Sequence, residues 1–172
     1  MTAVVYIHGQ YGNAAESEHY KLFFPDCEVF GLDYKIFSPR ETGKEIRDYV
    51  EKLKPRYENI ILIANSIGAF FCMYAGVEDL VQKAYFISPI VSLKGFVCDQ
   101  PEWMNLKEPE WNIPTTILYG SLDTMTSLET ISEFAKKHGA DLTIMDGGEH
   151  WFHTEEQMKF LDRWITSKAA ES

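Results

Sequence analysis

Six short apolar runs recur along the chain, at 3–7, 28–31, 60–64, 84–88, 115–119 and 142–145. Most are near-continuous in Val, Ile, Leu, Ala, Phe and Tyr rather than alternating with polar residues. A strand covered on one face alternates, whereas a parallel strand covered on both faces reads as an unbroken apolar run. The pattern therefore predicts six buried strands.

The stretches between them carry helical spacing and helix start signals. Ser38-Pro39-Arg40-Glu41 combines a capping serine, a proline at the first helical position and a capping-box glutamate. Ile46, Tyr49, Val50 and Leu53 then follow the helical period, and Pro55 stops it. Thr126-Ser127-Leu128-Glu129 repeats the box before Leu128, Ile131, Phe134 and Ala135, with Gly139 where a left-handed cap belongs. Thr154-Glu155-Glu156-Gln157 does so again before Phe160, Leu161, Trp164 and Ile165. The segment from 67 to about 75 is apolar on all sides, which predicts a buried helix.

Strands alternating with helices predict an α/β fold: a three-layer, doubly wound, mostly parallel six-stranded sheet with helices on both faces. Right-handed crossovers narrow the topology, and functional loops should lie at the carboxyl ends of the strands. No repeat, low-complexity tract or linker interrupts the pattern, so 1–172 reads as one domain. The irregular stretch 89–112 holds Phe96, Trp103, Met104, Leu106 and Trp111 among prolines and acidic residues. It is either a short flap over a site or the closure of the domain's edge.

Composition narrows the function. A formal net charge of −10 over 172 residues argues against binding a phosphate backbone, which needs clustered Lys and Arg. It reads first as solubility. No apolar run reaches the ~18 residues of a membrane span. The opening "MTAVVYIHGQ" reads as a first strand and lacks the basic start and long apolar centre of a signal peptide. Cys27, Cys72 and Cys98 are odd in number and have no metal spacing, which suits free thiols in a reducing cytoplasm. The sequence leaves the oligomeric state open.

The third apolar run ends abruptly in Asn65-Ser66 and resumes past Gly68. A strand, a tight turn with small residues two positions either side of a serine, and then a helix form the geometry of a nucleophile elbow. Ala64 and Gly68 are the small neighbours, and the helix begins at Ile67, whose first N–H groups favour a developing oxyanion. The plain alternative is a helix N-cap serine. Here the chain resembles the α/β-hydrolase superfamily, in the form of a compact esterase-like member without a large cap domain. That family's usual elbow is G-x-S-x-G; this one, Ala64-Asn65-Ser66-Ile67-Gly68, replaces the first glycine with alanine, as some lipases of the fold do.

Three further stretches carry the resemblance. "YIHGQYGN" follows the first run, and the resemblance implies an oxyanion loop in which Gln10 or Tyr11 supplies one backbone N–H and Ile67 the other. His8 is read there as structural. "LYGSLDTMT" follows the fifth run and puts Asp123 in the family's acid position; Asp99 and Asp146 are the rival acids. "TIMDGGEHWFHT" puts His150 in the position of the family's histidine, with His153 as its competitor. Asp123 otherwise reads as a turn or helix cap. The order Ser66, Asp123, His150 is the one this fold implies.

The expected function is a serine hydrolase. It would be a carboxylesterase acting on a small acyl ester through a Ser-His-Asp triad and an acyl-enzyme, with no cofactor and no metal. His8, His150 and His153 lack zinc-ligand spacing, and "GQYG" is too short for a phosphate loop. Phe96, Trp103, Trp111 and Trp151 are candidates for the pocket wall. A thioesterase or peptidase on the same triad, or a binding protein that keeps the fold without turnover, are the alternatives.

Overall fold

The computed structural model describes residues 1–93, 103 and 105–171. In chain order the elements are β1 (Thr2–Ile7), a 3-10 segment (Ala14–Phe23), β2 (Cys27–Leu32), α1 (Pro39–Leu53), β3 (Asn59–Asn65), α2 (Ile67–Met73), β4 (Lys83–Ile87), β5 (Thr115–Gly120), α3 (Leu128–His138), β6 (Asp141–Met145) and α4 (Glu155–Ala170). The six strands form one sheet in the order β2-β1-β3-β4-β5-β6. Every neighbouring pair is parallel, so the sheet is parallel throughout.

Alternate residues of each strand enter opposite layers. Ala3, Val5 and Ile7 of β1 join Ile46 and Val50 of α1, the apolar residues of α2, and Ile131 and Ala135 of α3. Val4 and Tyr6 face the other way, onto Tyr20 and Phe24 of the 3-10 segment and Leu161, Trp164 and Ile165 of α4. The four inner strands are buried against both layers, which explains why they read as continuous apolar runs. All seven residues of α2 are buried.

The helix ends refine the sequence reading. Pro39 opens α1 as expected, but the Ser38 hydroxyl makes no cap bond. The Ser38 N–H instead donates to Thr42 Oγ1 at 3.1 Å, and Glu41 is exposed. The cap of α3 is Ser127, one residue later than expected, and its Oγ accepts from the Thr130 N–H at 3.1 Å. Thr126 is unavailable because its own polar groups are engaged in the preceding loop. With the helix starting later, Leu128 is half exposed, while Ile131 and Ala135 are buried. Thr154 caps α4 by accepting from the Gln157 N–H, and Gly139 ends α3 at φ 62°.

The chain leaves β1 toward β2 on one side, and β3 lies on the other. This reversal opens a crevice outside the carboxyl ends of β1 and β3, the usual ligand position in an open α/β sheet. The two strands end flush, with Ile7 opposite Ala64. Cys27 and Cys72 are free thiols, and burial raises the Cys72 thiol well above its ordinary range. Cys98 lies outside the described residues, as does much of 89–112. Among the described residues no helix is long and apolar enough to cross a membrane.

Candidate active site

Ser66 stands alone between β3 and α2, at φ 56° and ψ −121°. A non-glycine residue in such a region costs on the order of 1–3 kcal/mol and persists only where its surroundings over-determine it. Here they do. The Ser66 N–H donates to the Ile87 carbonyl at 3.0 Å, and the Ser66 carbonyl accepts from the N–H groups of Ala69 at 3.2 Å and Ile90 at 3.0 Å. Gly68 lies so close to β1 that a Cβ would sit 2.6 Å from the His8 carbonyl oxygen and 2.7 Å from that of Ile7. A Cβ on Gly9 would stand 3.1 Å from the Ser66 Cβ. The bend is thus locked between β1 and β4. The methyl of Ala64, where the family pattern has glycine, is wholly buried in the core.

Two loops from the far half of the sheet complete the constellation. The Asp123 side chain is fully buried at the end of β5. Its Oδ1 accepts from the N–H groups of Met125 at 2.7 Å and Thr126 at 3.0 Å. Its Oδ2 lies 2.7 Å from His150 Nδ1, and His150 Nε2 lies 2.8 Å from Ser66 Oγ. A carboxylate oxygen can only accept, so Nδ1 donates, and in the neutral ring Nε2 is then the acceptor that faces the hydroxyl. The loops after β5 and β6 are joined by main-chain bonds, Leu122 N–H to Gly148 O at 2.8 Å and Ser121 N–H to Met145 O at 3.0 Å. Glycine at 120 and 148 allows this approach, since a Cβ on Gly120 would lie 2.3 Å from the Gly148 backbone.

The rival residues are placed elsewhere. The His153 ring stacks on Trp151 at 4.4 Å, and its Nδ1 donates to the Trp151 carbonyl at 2.8 Å. Asp146 faces the Ser121 hydroxyl at 3.5 Å. Asp99 lies outside the described residues. His8 stacks on Tyr34 at 4.2 Å, and its Nδ1 donates to the Gly9 carbonyl, a structural arrangement.

Ser66 and His150 open into a cavity of about 340 Å³. Gln10, Tyr11 and Ile67 line it, so the three residues expected to supply oxyanion donors border the same space as the hydroxyl. Tyr11 is 96% exposed and sits at φ 66° in a turn closed by the Gly12 N–H on the Gly9 carbonyl. Of the aromatic wall candidates, Trp103 lines the cavity and packs on Phe37 and Phe71. Trp111 does not: it stacks on Phe86 in the core, and its indole N–H donates to Thr115 Oγ1 at 2.8 Å. Trp151 does not either, being 71% exposed against His153. Phe96 lies outside the described residues.

Among the described residues Phe37, Ile90, Leu93 and Met125 also line the cavity, and sequence reasoning missed them. Phe37, Ile90 and Met125 each sit in a loop that follows a strand's carboxyl end. That position is the one signal that could have selected them. Among the described residues no three or more His, Cys, Asp or Glu side chains gather as metal ligands would.

No family model matches the chain. A Mycoplasma genitalium protein named as an esterase/lipase is 34% identical over 70 residues, which are 41% of this chain and only 25% of that protein's length. The butyrate-bound structure of the Thermogutta terrifontis esterase Est2 superposes with a TM-score of 0.73 at 19% identity, covering 99% of this chain and 81% of that one. A Xanthomonas campestris structure described as a hydrolase of the alpha/beta superfamily superposes with a TM-score of 0.77 at 10% identity, covering 99% of both chains.

Proposed function

We propose that this chain, which has the α/β-hydrolase fold, is a serine hydrolase, a carboxylesterase acting on small acyl esters. One observation carries the reading: an unbroken hydrogen-bond path from Ser66 Oγ through both nitrogens of His150 to a buried carboxylate, with Ser66 on a strained bend. The esterase names of the Mycoplasma and Thermogutta proteins agree with it.

In this mechanism His150 Nε2 takes the Ser66 proton as Oγ attacks the ester carbonyl. Asp123 holds the ring's tautomer and stabilises the imidazolium that forms. The backbone N–H of Ile67 and that of Gln10 or Tyr11 receive the oxyanion, where a single donor is worth roughly 100- to 1000-fold in turnover. His150 then gives its proton to the leaving alcohol, leaving the acyl group on Ser66. Water adds through the same base, the carboxylic acid departs and Ser66 is restored. The cavity of about 340 Å³ lies near the lower end of the ~300–1,000 Å³ range of ligand pockets, which suits a small acyl group. Among the described residues its lining holds no Asp, Glu, Lys or Arg, so a neutral substrate enters with least desolvation.

The test is turnover of p-nitrophenyl acetate and butyrate beside matched thioester and aminoacyl amide substrates, with labelling by an active-serine phosphonate. Ester turnover and labelling that both vanish in Ser66→Ala are expected. Labelling that survives Ser66→Ala, or activity that survives His150→Ala but not His153→Ala, sinks the assignment. A thioester or amide preferred by a factor of ten or more in kcat/KM moves the protein to that class.

A further inference from the structure

In the loop after β5, residues 121, 122, 124 and 125 are exposed, and only Asp123 and Thr126 turn inward. Every polar group of Thr126 is engaged. Its N–H donates to Asp123 Oδ1 at 3.0 Å, its hydroxyl donates to the Pro89 carbonyl at 3.1 Å, and its carbonyl accepts from the buried Tyr119 hydroxyl at 2.6 Å.

The Pro89 bond connects the two halves of the site. Pro89 belongs to the turn after β4, which begins with Ser88 at φ 47°. On either side of that turn, the Ile87 carbonyl holds the Ser66 N–H and the Ile90 N–H holds the Ser66 carbonyl, each at 3.0 Å. One short segment therefore grips the serine's backbone from both sides and, through Thr126, the loop that carries the acid. His150 bridges the gap between these two halves. His150 is also tied to the acid loop through the Gly148–Leu122 bond, but that bond sets nothing relative to Ser66.

We infer that Thr126 is a positioning residue: its hydroxyl bond to Pro89 sets the separation of the Asp123 carboxylate from the Ser66 bend, so that one imidazole bridges both within hydrogen-bond distance. This rests on the triad reading proposed above. Thr126 is buried and does not line the cavity, so its loss should act on kcat rather than on substrate capture. A misplacement of the order of 1 Å costs up to about 100-fold in rate.

Thr126→Val keeps the shape and removes the hydroxyl, and Thr126→Ser keeps the hydroxyl and removes the methyl. With p-nitrophenyl butyrate, the valine variant should lose about tenfold or more in kcat with KM within about twofold, and the serine variant should recover kcat to within about threefold of the parent. The proton NMR signal of His150 Nδ1–H should shift upfield and exchange faster with water in Thr126→Val. A folded Thr126→Val protein with unchanged kcat and an unmoved signal overturns the inference, and so does a serine variant as slow as the valine one. If Thr126→Val does not fold, Thr126→Ala, which removes the same hydroxyl and leaves a smaller side chain, should show the same fall in kcat with KM held. An unchanged kcat there overturns the inference equally. Phosphonate labelling of the parent and of Ser66→Ala separates the two levels: labelling that ignores Ser66 defeats the triad itself, whereas normal labelling with normal Thr126→Val turnover defeats only this coupling.

Discussion

The turn after β3 and the turn after β1 border the same cavity, and both hold a non-glycine residue at positive φ, Ser66 at 56° and Tyr11 at 66°. Their surroundings differ. Ser66 has its backbone bonded on both sides and a glycine pressed against β1 behind it. Tyr11 projects into solvent, 96% exposed, in a turn held by one backbone bond across its base. The first turn is fixed by bonds and packing on every side. The second lies at the mouth of the cavity, where side chains can differ without disturbing the core. One sheet edge thus carries a locked turn and an open one side by side.

Four substitutions test that contrast, taken from the largest expected effect. Ser66→Ala should lower ester turnover by roughly 10⁴- to 10⁶-fold, measured as kcat with p-nitrophenyl butyrate, with the fold intact by circular dichroism. Gly68→Ala should drive a methyl into the His8 carbonyl. Turnover should fall about 100-fold and stability by about 1–3 kcal/mol in urea unfolding, and an active, stable variant would show that the bend is not locked. Ser66→Gly should be more stable than Ser66→Ala by about 1 kcal/mol, because glycine adopts this backbone conformation without steric cost; equal midpoints would mean the bend is unstrained. Tyr11→Gly should be the mildest. Relief of positive φ and the added freedom of the unfolded chain nearly cancel, so stability should move by under about 0.5 kcal/mol. kcat should stay within about threefold while KM takes the change.

Most of the sheet was legible in the sequence because it is buried on both faces. Runs such as 60–64 have no polar position to mislead, and the observed strands begin and end within about one residue of them. Ser66 was legible because a small-Ser-small turn between a strand and a buried helix has few other uses, and Asp123 and His150 fall directly after strands. The three residues do meet, within hydrogen-bond distance of one another through the His150 ring. The aromatic wall was not legible. Trp111 and Trp103 look alike in sequence, and what separates them is a partner: Thr115 takes the Trp111 N–H and holds that ring in the core. The cap of α3 slipped from Thr126 to Ser127 for a related reason. A threonine's bonding choice depends on a carbonyl, Pro89, distant along the chain, and no local pattern reports it.

The complete burial of α2 behind the Ser66 bend has a consequence for anyone heating the protein. The Ser66 bend cannot loosen while the interior stays sound, because the strands that brace it are the interior. Inactivation and melting should therefore coincide on a temperature ramp. The rate surviving a heat challenge then counts native molecules, which makes a simple colorimetric assay a gauge of how much protein is still folded.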